Sequence, residues 1–319
     1  MASRESAAGS PVAPVRRPLT AARPRYGEKV IIGLLGFCGL ISVAVTVGIV
    51  AALVGPTIDF FEEVSLGEFL STQEWAPTFS DPSFGVFNIV AGSLNVTLWA
   101  IVTGIPMGLG AAVYLSEYAS ERVRRIVKPT LEVLAGVPTV AFGFFALTFI
   151  TPLIRDVWPA FLGDPPGIFS AGAAGIVLGL MVVPIVASIS DDAMRAVPHA
   201  LREGAYALGG TRMQVATRVV VPGALSGIVA SFVLGISRAI GETMVVLIAA
   251  GNSPKLTLNP AESIQTMTAF IATTATGDVG FGTITYKTLF AVGALLFLIT
   301  LAMNLLSIRL VRRYREIYE

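Results

Sequence analysis

Charged residues are scarce in this sequence of 319 residues: Asp, Glu, Lys and Arg make up 13%, whereas hydrophobic residues make up 54%. A soluble domain carries about 25% charged residues, so the composition excludes an ordinary soluble protein and indicates a membrane protein. Cysteine and histidine are nearly absent, with Cys38 and His199 the single examples. One cysteine in an apolar run excludes a disulfide framework, and one histidine excludes a histidine-cluster metal site.

Long apolar stretches are abundant. Six of them approach the ~20 residues that a helix needs to cross a ~30 Å hydrocarbon core, which predicts an all-α, polytopic membrane protein with six transmembrane helices. Glycine and proline interrupt the second, third and fourth stretches, where neighbouring helices must accommodate them. The stretches run approximately over residues 30–54, 86–115, 131–150, 171–189, 224–250 and 288–311.

The basic residues are distributed unevenly among the connections. Both termini and the connections after spans two and four hold eighteen Lys and Arg residues, and the other three connections hold three. The positive-inside rule therefore predicts that both termini are cytoplasmic. Residues 55–85 have no basic residue and six acidic ones, so we expect an acidic external loop there. The first apolar run, about 25 residues long, exceeds the about 7–15 residues of a signal peptide, which indicates a retained helix.

These features predict four segments. A disordered basic tail and a first helix with its acidic loop come before a membrane core, and a short cytoplasmic tail follows it. Their expected bounds are residues 1–29, 30–85, 86–311 and 312–319.

The predicted cytoplasmic connection between spans four and five has the pattern helix, turn, helix. Pro198 suits a first helical turn, residues 200–208 favour a helix, and Gly209 with Gly210 would end it. A second short helix over residues 211–220 would then reach Pro222. From the residues alone, an amphipathic connector lying on the membrane surface explains this pattern equally well.

The stretch "EGAYALGGTRMQVATRVVVP" resembles the EAA motif of ABC importer permeases, with Gly204 in place of the family's middle alanine. The resemblance implies the type I ABC importer permease fold and a coupling loop, residues 198–222, that contacts a separate ATPase. The chain has no G-x-x-x-x-G-K-[ST] sequence, so we expect no cofactor in it, no enzymatic activity of its own, and ATP and Mg²⁺ bound by the partner ATPase. The implied coupling residues are Glu203, Gly204, Ala205, Leu208, Gly209 and Pro222.

Arg238 and Glu242 lie inside the fifth apolar stretch, where a charge costs roughly 2.5–3.5 kcal/mol on insertion scales. On a continuous helix, residues four apart share a face, so we expect the two side chains to reach each other. Such a pair could be a purely structural ion pair, or the arginine fork could bind an oxyanion on a pathway. The hydroxyls of Ser237 and Thr243 lie nearby in sequence, although a threonine on a membrane helix often bonds its own backbone.

The stretch "SRAIGETMVVLIAAGN" is similar to the corresponding helix of oxyanion importers, and its Gly-Glu-Thr is the version found in phosphate permeases of the PstC type. The resemblance implies a bacterial inner-membrane subunit with phosphate as cargo. It also implies three protein partners: a second, PstA-like permease subunit, a PstB-like ATPase dimer and an external, PstS-like phosphate-binding protein. Lipid surrounds the chain, and no nucleic acid is involved.

Three alternatives remain at this point: a permease for sulfate or molybdate, a secondary anion transporter, and an intramembrane enzyme. The last is disfavoured because no nucleophile with a base, and no carboxylate pair, falls within the predicted spans. One further expectation concerns the external connection. Ile264, Met267, Phe270 and Ile271 repeat at helical spacing, which predicts a short helix that either lies at the outer interface, plugs the pore mouth or simply packs.

Overall fold

The computed structural model describes residues 26–160 and 163–313, and over these ranges the chain is helical. No β-strand occurs in them; Trp75 and Phe84 form one isolated antiparallel bridge. The helices are α1 Tyr26–Glu63, α2 Leu66–Phe69, α3 Phe87–Val113, α4 Glu121–Ala135, α5 Thr139–Phe145, α6 Thr151–Asp156, α7 Ala171–Arg195, α8 His199–Ala207, α9 Arg212–Val215, α10 Val221–Gly223, α11 Leu225–Ile240, α12 Met244–Ala249, α13 Met267–Thr276 and α14 Ile284–Arg313.

Three single π-helical turns interrupt or extend these helices. They are Tyr114–Tyr118 after α3, Ala146–Ile150 between α5 and α6, and Ala216–Val220 between α9 and α10. A π turn places one extra residue in a helical turn, and such turns are often found at functional sites. Two of the three, the first and the last, lie beside α8.

The prediction of a polytopic, all-α membrane protein is confirmed. Five segments of the described ranges are long and apolar enough to cross a membrane, and the sixth is a pair of helical segments, Arg212–Gly223 and Leu225–Ile240, bent by 73°. The five are Gly27–Glu63, Phe87–Tyr118, Thr139–Asp156, Ala171–Arg195 and Ile284–Arg309.

The third span was predicted too early in the chain. Residues 131–135 belong to α4, whose charged side chains face α7, and the span itself begins at Thr139 and continues to Asp156. Pro138 precedes its first turn in an extended conformation. Hydropathy alone merged the apolar end of an amphipathic helix with the membrane helix that follows it.

The described helices can be set beside the predicted segments, whose bounds stay a prediction. Of the expected tail 1–29, residues 1–25 lie outside the described ranges, and residues 26–29 are the start of α1. Helix α1 continues to Glu63 and α2 contains Glu68, so four of the six acidic residues expected in a loop are helical. Of the expected tail 312–319, residues 314–319 lie outside the described ranges. The described residues divide into two units at the boundary between residues 49 and 50, and the coupling loop and the fifth span both belong to the second.

Helix α7 is the central helix of the second unit, with seventeen buried residues along its length. It packs closely on α3 because small residues meet there: a Cβ added at Gly104 would lie 2.6 Å from the carbonyl oxygen of Gly179. Close backbone approach through glycine is the usual way in which membrane helices associate. Helix α7 thus runs from the segment after α12, at its N-terminal end, to the coupling loop at its C-terminal end.

At the N-terminal end of α7, the segment after α12 closes over the helix. The amide of Ala171 donates to Glu262 O at 2.9 Å, and that of Gly172 donates to Pro260 O at 2.8 Å. Of the expected outer helix, α13 begins at Met267, and Ile264, Met267 and Phe270 are buried. This segment is thus a packed element, which favours the third of the alternatives considered for it over an exposed interfacial helix.

Candidate functional site

The coupling loop, residues 198–222, forms the helix, turn, helix arrangement that the sequence predicts. Helix α8 ends at Ala207, and Gly209 then adopts φ +82°, a left-handed conformation that glycine reaches without steric cost. The Thr211 hydroxyl accepts from the Gln214 amide, and the Gln214 side chain accepts from the Thr211 amide, which is a complete capping box. The second arm does not stop before Pro222 as expected; it runs through the π turn and α10 to Gly223.

The outer surface of the coupling loop is apolar and unusually open. Leu208, next to the glycine turn, is 91% exposed, and Met213 is 63% exposed. Glu203, Gly204 and Pro222 are exposed, and Ala205 is half-buried against the cluster beneath the loop. Leu208 thus lies exposed at the tip of an ordered turn, between the end of α8 and Gly209.

Arg202 joins the inner surface of the same loop to the membrane helices. In the sequence, this arginine counted only toward the predicted cytoplasmic side of the connection. Its guanidinium donates to Val197 O at 2.6 Å, to Met194 O at 2.7 Å and to Glu117 Oε1 at 3.1 Å. These acceptors belong to the end of α7 and to the π turn after α3. Only 11% of the Arg202 side chain and 6% of that of Glu117 are exposed. In the sequence, the available signal was an arginine directly before the motif glutamate, Glu203. Counting basic residues to predict orientation does not show that this arginine is buried.

A second charged group joins α4 to α7 at the same end. Asp191, whose side chain is fully buried, accepts from Arg124 at 2.8 Å and from Lys128 at 3.3 Å, and Lys128 also bonds Asp192. Burial of the Lys128 ammonium lowers its pKa, but the hydrogen bonds and negative charges of Asp192 and Asp191 outweigh this, so its pKa is raised above the ordinary value. The Lys128 side chain therefore stays charged at neutral pH.

The fifth predicted span is broken. Helix α11 ends at Ile240, α12 begins at Met244, and Glu242 lies in the interruption. One oxygen of its carboxylate accepts from the amides of Met244 at 3.1 Å and Val245 at 3.4 Å. The Thr268 hydroxyl donates to Glu242 O at 2.7 Å and so fixes the interruption to α13. Gly241 weakens the helix here, and a carboxylate beside a helix N-terminus is favourable, so the local sequence favours the break.

The expected ion pair between Arg238 and Glu242 is wrong. The continuous helix on which they would share a face stops between them, and within the described residues Arg238 has no ion pair and no hydrogen bond from its side chain. Arg238 is exposed in the isolated chain and lies in the last turn of α11. Its guanidinium fork is therefore available to another molecule, while Glu242 is occupied with the backbone of α12.

The two hydroxyls near the break behave differently. Thr243 Oγ1 donates to Gly241 O at 3.4 Å, which agrees with the expectation that a lone threonine bonds its own backbone. Ser237 Oγ donates to Asn304 Oδ1 at 3.1 Å and so joins α11 to α14. Asn304 was missed by the sequence reasoning, although a polar side chain inside the last apolar span is a recognisable signal.

At the opposite end of α7, the segments 74–79, 252–255 and 273–285 line a cavity of about 950 Å³. Its wall includes Trp75 and Gln265, and its charges are mixed: Glu74, Lys255 and Asp278. The Trp75 indole N–H is buried without a hydrogen-bond partner among the described residues. The cavity is thus polar without a dominant charge.

Comparison with known proteins decides what kind of molecule this geometry belongs to. Residues 104–316 match the family of binding-protein-dependent transport system inner membrane components. This chain belongs to that family. The matched region contains both the coupling loop and the broken span, so both belong to a permease of this family.

Relatives align with most of the permease. A probable ABC transporter permease, YqgH of Bacillus subtilis, is 36% identical over 277 residues, which is 86% of each chain. The phosphate transport system permease protein PstC 1 of Mycobacterium tuberculosis is 36% identical over 72% of this chain and 73% of its own. The PstC of Xylella fastidiosa is 32% identical over 77% of this chain and 80% of its own.

Solved structures agree on the fold. A bacterial alginate ABC transporter, crystallised with a periplasmic protein bound to an alginate pentasaccharide, has a chain that superimposes with a TM-score of 0.60, covering 91% of the permease and 98% of that chain at 16% identity. A chain of the MetNI methionine ABC transporter in an inward-facing conformation gives a TM-score of 0.51 over 72% of the permease at 20% identity. The expected type I ABC importer permease fold is therefore confirmed.

Proposed function

We propose that this permease is one of the two membrane subunits of an ATP-driven importer of inorganic phosphate. The observation that carries the proposal is the alignment, over most of both chains, with proteins named as PstC phosphate permeases. The Gly-Glu-Thr sequence at the helix break supports the same cargo. The permease contributes half of a pathway and works as a heterodimer with a PstA-like subunit.

The coupling loop supports dependence on a separate ATPase. Leu208, Met213 and Glu203 are all exposed on the loop, where a groove on the ATPase would contact them. A PstB-like ATPase dimer would bind ATP and Mg²⁺, and the permease itself performs no hydrolysis. Closure of that dimer displaces the loop, and the displacement reopens the pathway to the other side of the membrane.

The cargo would pass Arg238. Its planar, permanently charged fork suits a tetrahedral oxyanion, and it lies on an exposed face next to the helix break, where the second membrane subunit completes the pathway. Glu242 stabilises the start of α12 by accepting hydrogen bonds from its first amides, and its carboxylate can also accept a hydrogen bond from the hydroxyl of monohydrogen phosphate, a donor that sulfate lacks. Ser237 and Thr243 serve the packing of the break.

The basic distribution supports a placement in the bacterial inner membrane with both termini, α4 and the coupling loop on the cytoplasmic side. The opposite end of α7, with the 950 Å³ cavity, would then face outward toward a PstS-like phosphate-binding protein. Lipid covers the remaining apolar faces, and no nucleic acid takes part.

Two alternatives are separated by the same experiment. Sulfate or molybdate could replace phosphate as cargo, and the broken fifth span is a feature that secondary transporters share. The permease is reconstituted in liposomes alone and as the full complex with its partner permease and ATPase. We expect uptake of labelled phosphate only by the full complex with MgATP and loaded binding protein, and not of sulfate or molybdate. Uptake by the permease alone would refute the proposal.

A further inference from the structure

The underside of the coupling loop contacts the membrane helices in two ways. Apolar side chains, among them Val215, Val220 and Met194, form a small buried cluster. Arg202 forms the directed contacts: three hydrogen bonds to Val197 O, Met194 O and Glu117 Oε1. Apolar packing is non-directional and tolerates sliding, whereas hydrogen bonds from a planar fork fix position and angle. Arg202 therefore fixes the register of the loop on the helices.

The acceptors of Arg202 lie on two separate helices. Met194 O and Val197 O are at the C-terminal end of α7, where exposed carbonyls favour a cation. Glu117 is in the π turn that ends the second span, where its carboxylate also accepts from the Ser116 hydroxyl at 2.8 Å. The neighbouring Tyr118 hydroxyl lies 3.6 Å from Met213 Sδ on the second arm of the loop. Movement of the loop thus reaches α3 and α7 together.

The π turn is a suitable element to receive such a movement. Its characteristic bond runs from the Ala119 amide to Tyr114 O at 2.8 Å, five residues back. Conversion of this turn to α-helical bonding shifts the register of everything beyond it by one residue, which is a discrete change and not a gradual one. A second π turn, Ala216–Val220, lies at the junction of the loop with the fifth span. One π turn therefore contacts the loop through Glu117, and another lies within the second arm of the loop.

We propose that Arg202 is a positioning residue for transport, which transmits displacement of the coupling loop to α3 and α7 through its junction with Glu117, Met194 O and Val197 O. The inference rests on the proposed function, because it assumes that an ATPase moves the loop. It differs from contact with the ATPase itself, since Arg202 points away from the exposed surface that carries Leu208 and is nearly buried.

The test measures coupling separately from assembly. The full complex is reconstituted in liposomes containing MgATP, and phosphate taken up and ATP hydrolysed are measured together in the presence of loaded binding protein. Arg202→Lys keeps the charge and loses the fork, so we expect the number of ATP molecules hydrolysed per phosphate to rise about tenfold. Glu117→Gln keeps the shape and removes the charge, and should raise this ratio about threefold. The amount of ATPase that copurifies should not change.

Arg195 supplies the matched control. It lies at the same end of α7, but its ion pair with Glu121 is 4.0 Å long and both side chains are exposed. Such a pair contributes little, so Arg195→Lys should leave the ratio at the wild-type value.

Two results would overturn the inference. One is a wild-type ratio in either Arg202→Lys or Glu117→Gln complexes that assemble normally. The other is loss of assembly in both variants, because Arg202 would then serve folding alone. A wrong assignment of the cargo gives a different result. The wild-type complex would then import sulfate or molybdate instead of phosphate, and the ratio of ATP hydrolysed to anion imported would be measured with that anion.

Discussion

Two groups of charged residues in this permease differ in how far the chain itself satisfies them. At the coupling end, Arg202, Glu117, Arg124 and Asp191 form hydrogen-bonded pairs between helices. At the break in the fifth span, Arg238 has no such partner within the described residues, and the Glu242 carboxylate accepts from two backbone amides there. Charged side chains that pair with each other join helices within one chain. A charged side chain without a partner on a membrane helix indicates a site for another molecule.

The largest effect is expected at the open charge. Arg238→Ala should lower phosphate uptake by the reconstituted complex about 100-fold, because charge-assisted hydrogen bonds to the anion are lost. Arg238→Lys should lower it about tenfold, since lysine keeps the charge without the fork. The thermal unfolding midpoint and the amount of bound ATPase should stay unchanged. Uptake within twofold of the wild type in Arg238→Ala would remove this residue from the pathway. Arg125→Ala, at an exposed arginine of α4, is the control.

The buried charges between α4 and α7 should show the reverse pattern, with an effect on stability where Arg238 affects uptake. Asp191→Asn removes the negative charge between Arg124 and Lys128, and we expect a cost of about 2 kcal/mol in stability, or several °C in the unfolding midpoint. Asp192→Asn is the matched control, because 63% of that side chain is exposed, and it should change the midpoint much less. Scanning calorimetry of the purified complex measures both. Equal effects of the two substitutions would show that burial of Asp191 does not matter.

The sequence predicted this division only in part. Apolar runs, basic connections and the coupling-loop pattern were enough for the fold and for the turn at Gly209, since each depends on local composition or on backbone conformation. The predicted pair of Arg238 and Glu242 failed because it assumed one continuous helix. Whether a helix continues through Gly241 depends on the capping of Met244 by Glu242 and on Thr268, twenty-six residues away. Such a tertiary hydrogen bond leaves no periodic signal.

The buried role of Arg202 was hidden for a related reason. Four arginines occur between spans four and five, and their sequence positions count equally toward orientation. Only the folded loop distinguishes Arg202, with 11% of its side chain exposed, from the exposed Arg212 and Arg218. Which of several arginines is buried depends on how the loop packs, and the pattern of residues in a single sequence does not show this.

Glu242 can act as a helix cap, as a hydrogen-bond acceptor for the hydroxyl of the cargo, or as both, and two substitutions separate these roles. Glu242→Gln keeps an oxygen for the Met244 amide and removes the charge, and we expect phosphate uptake to fall about fivefold with little loss of stability. Glu242→Ala also removes the cap, and should in addition cost about 1 kcal/mol in stability. If Glu242→Gln imports phosphate at the wild-type rate, the carboxylate is a cap only.

The smallest effect is expected at Ser237, whose hydroxyl bonds Asn304 and not a neighbouring charge. If it only joins α11 to α14, Ser237→Ala and Asn304→Ala should each cost well under about 1 kcal/mol, and the double variant should cost no more than the larger of the two. Phosphate uptake should then stay within twofold of the wild type in all three complexes. A further fall in uptake when Ser237→Ala is added to Asn304→Ala would instead place the hydroxyl on the pathway beside Arg238, because the helix contact is already absent in that background.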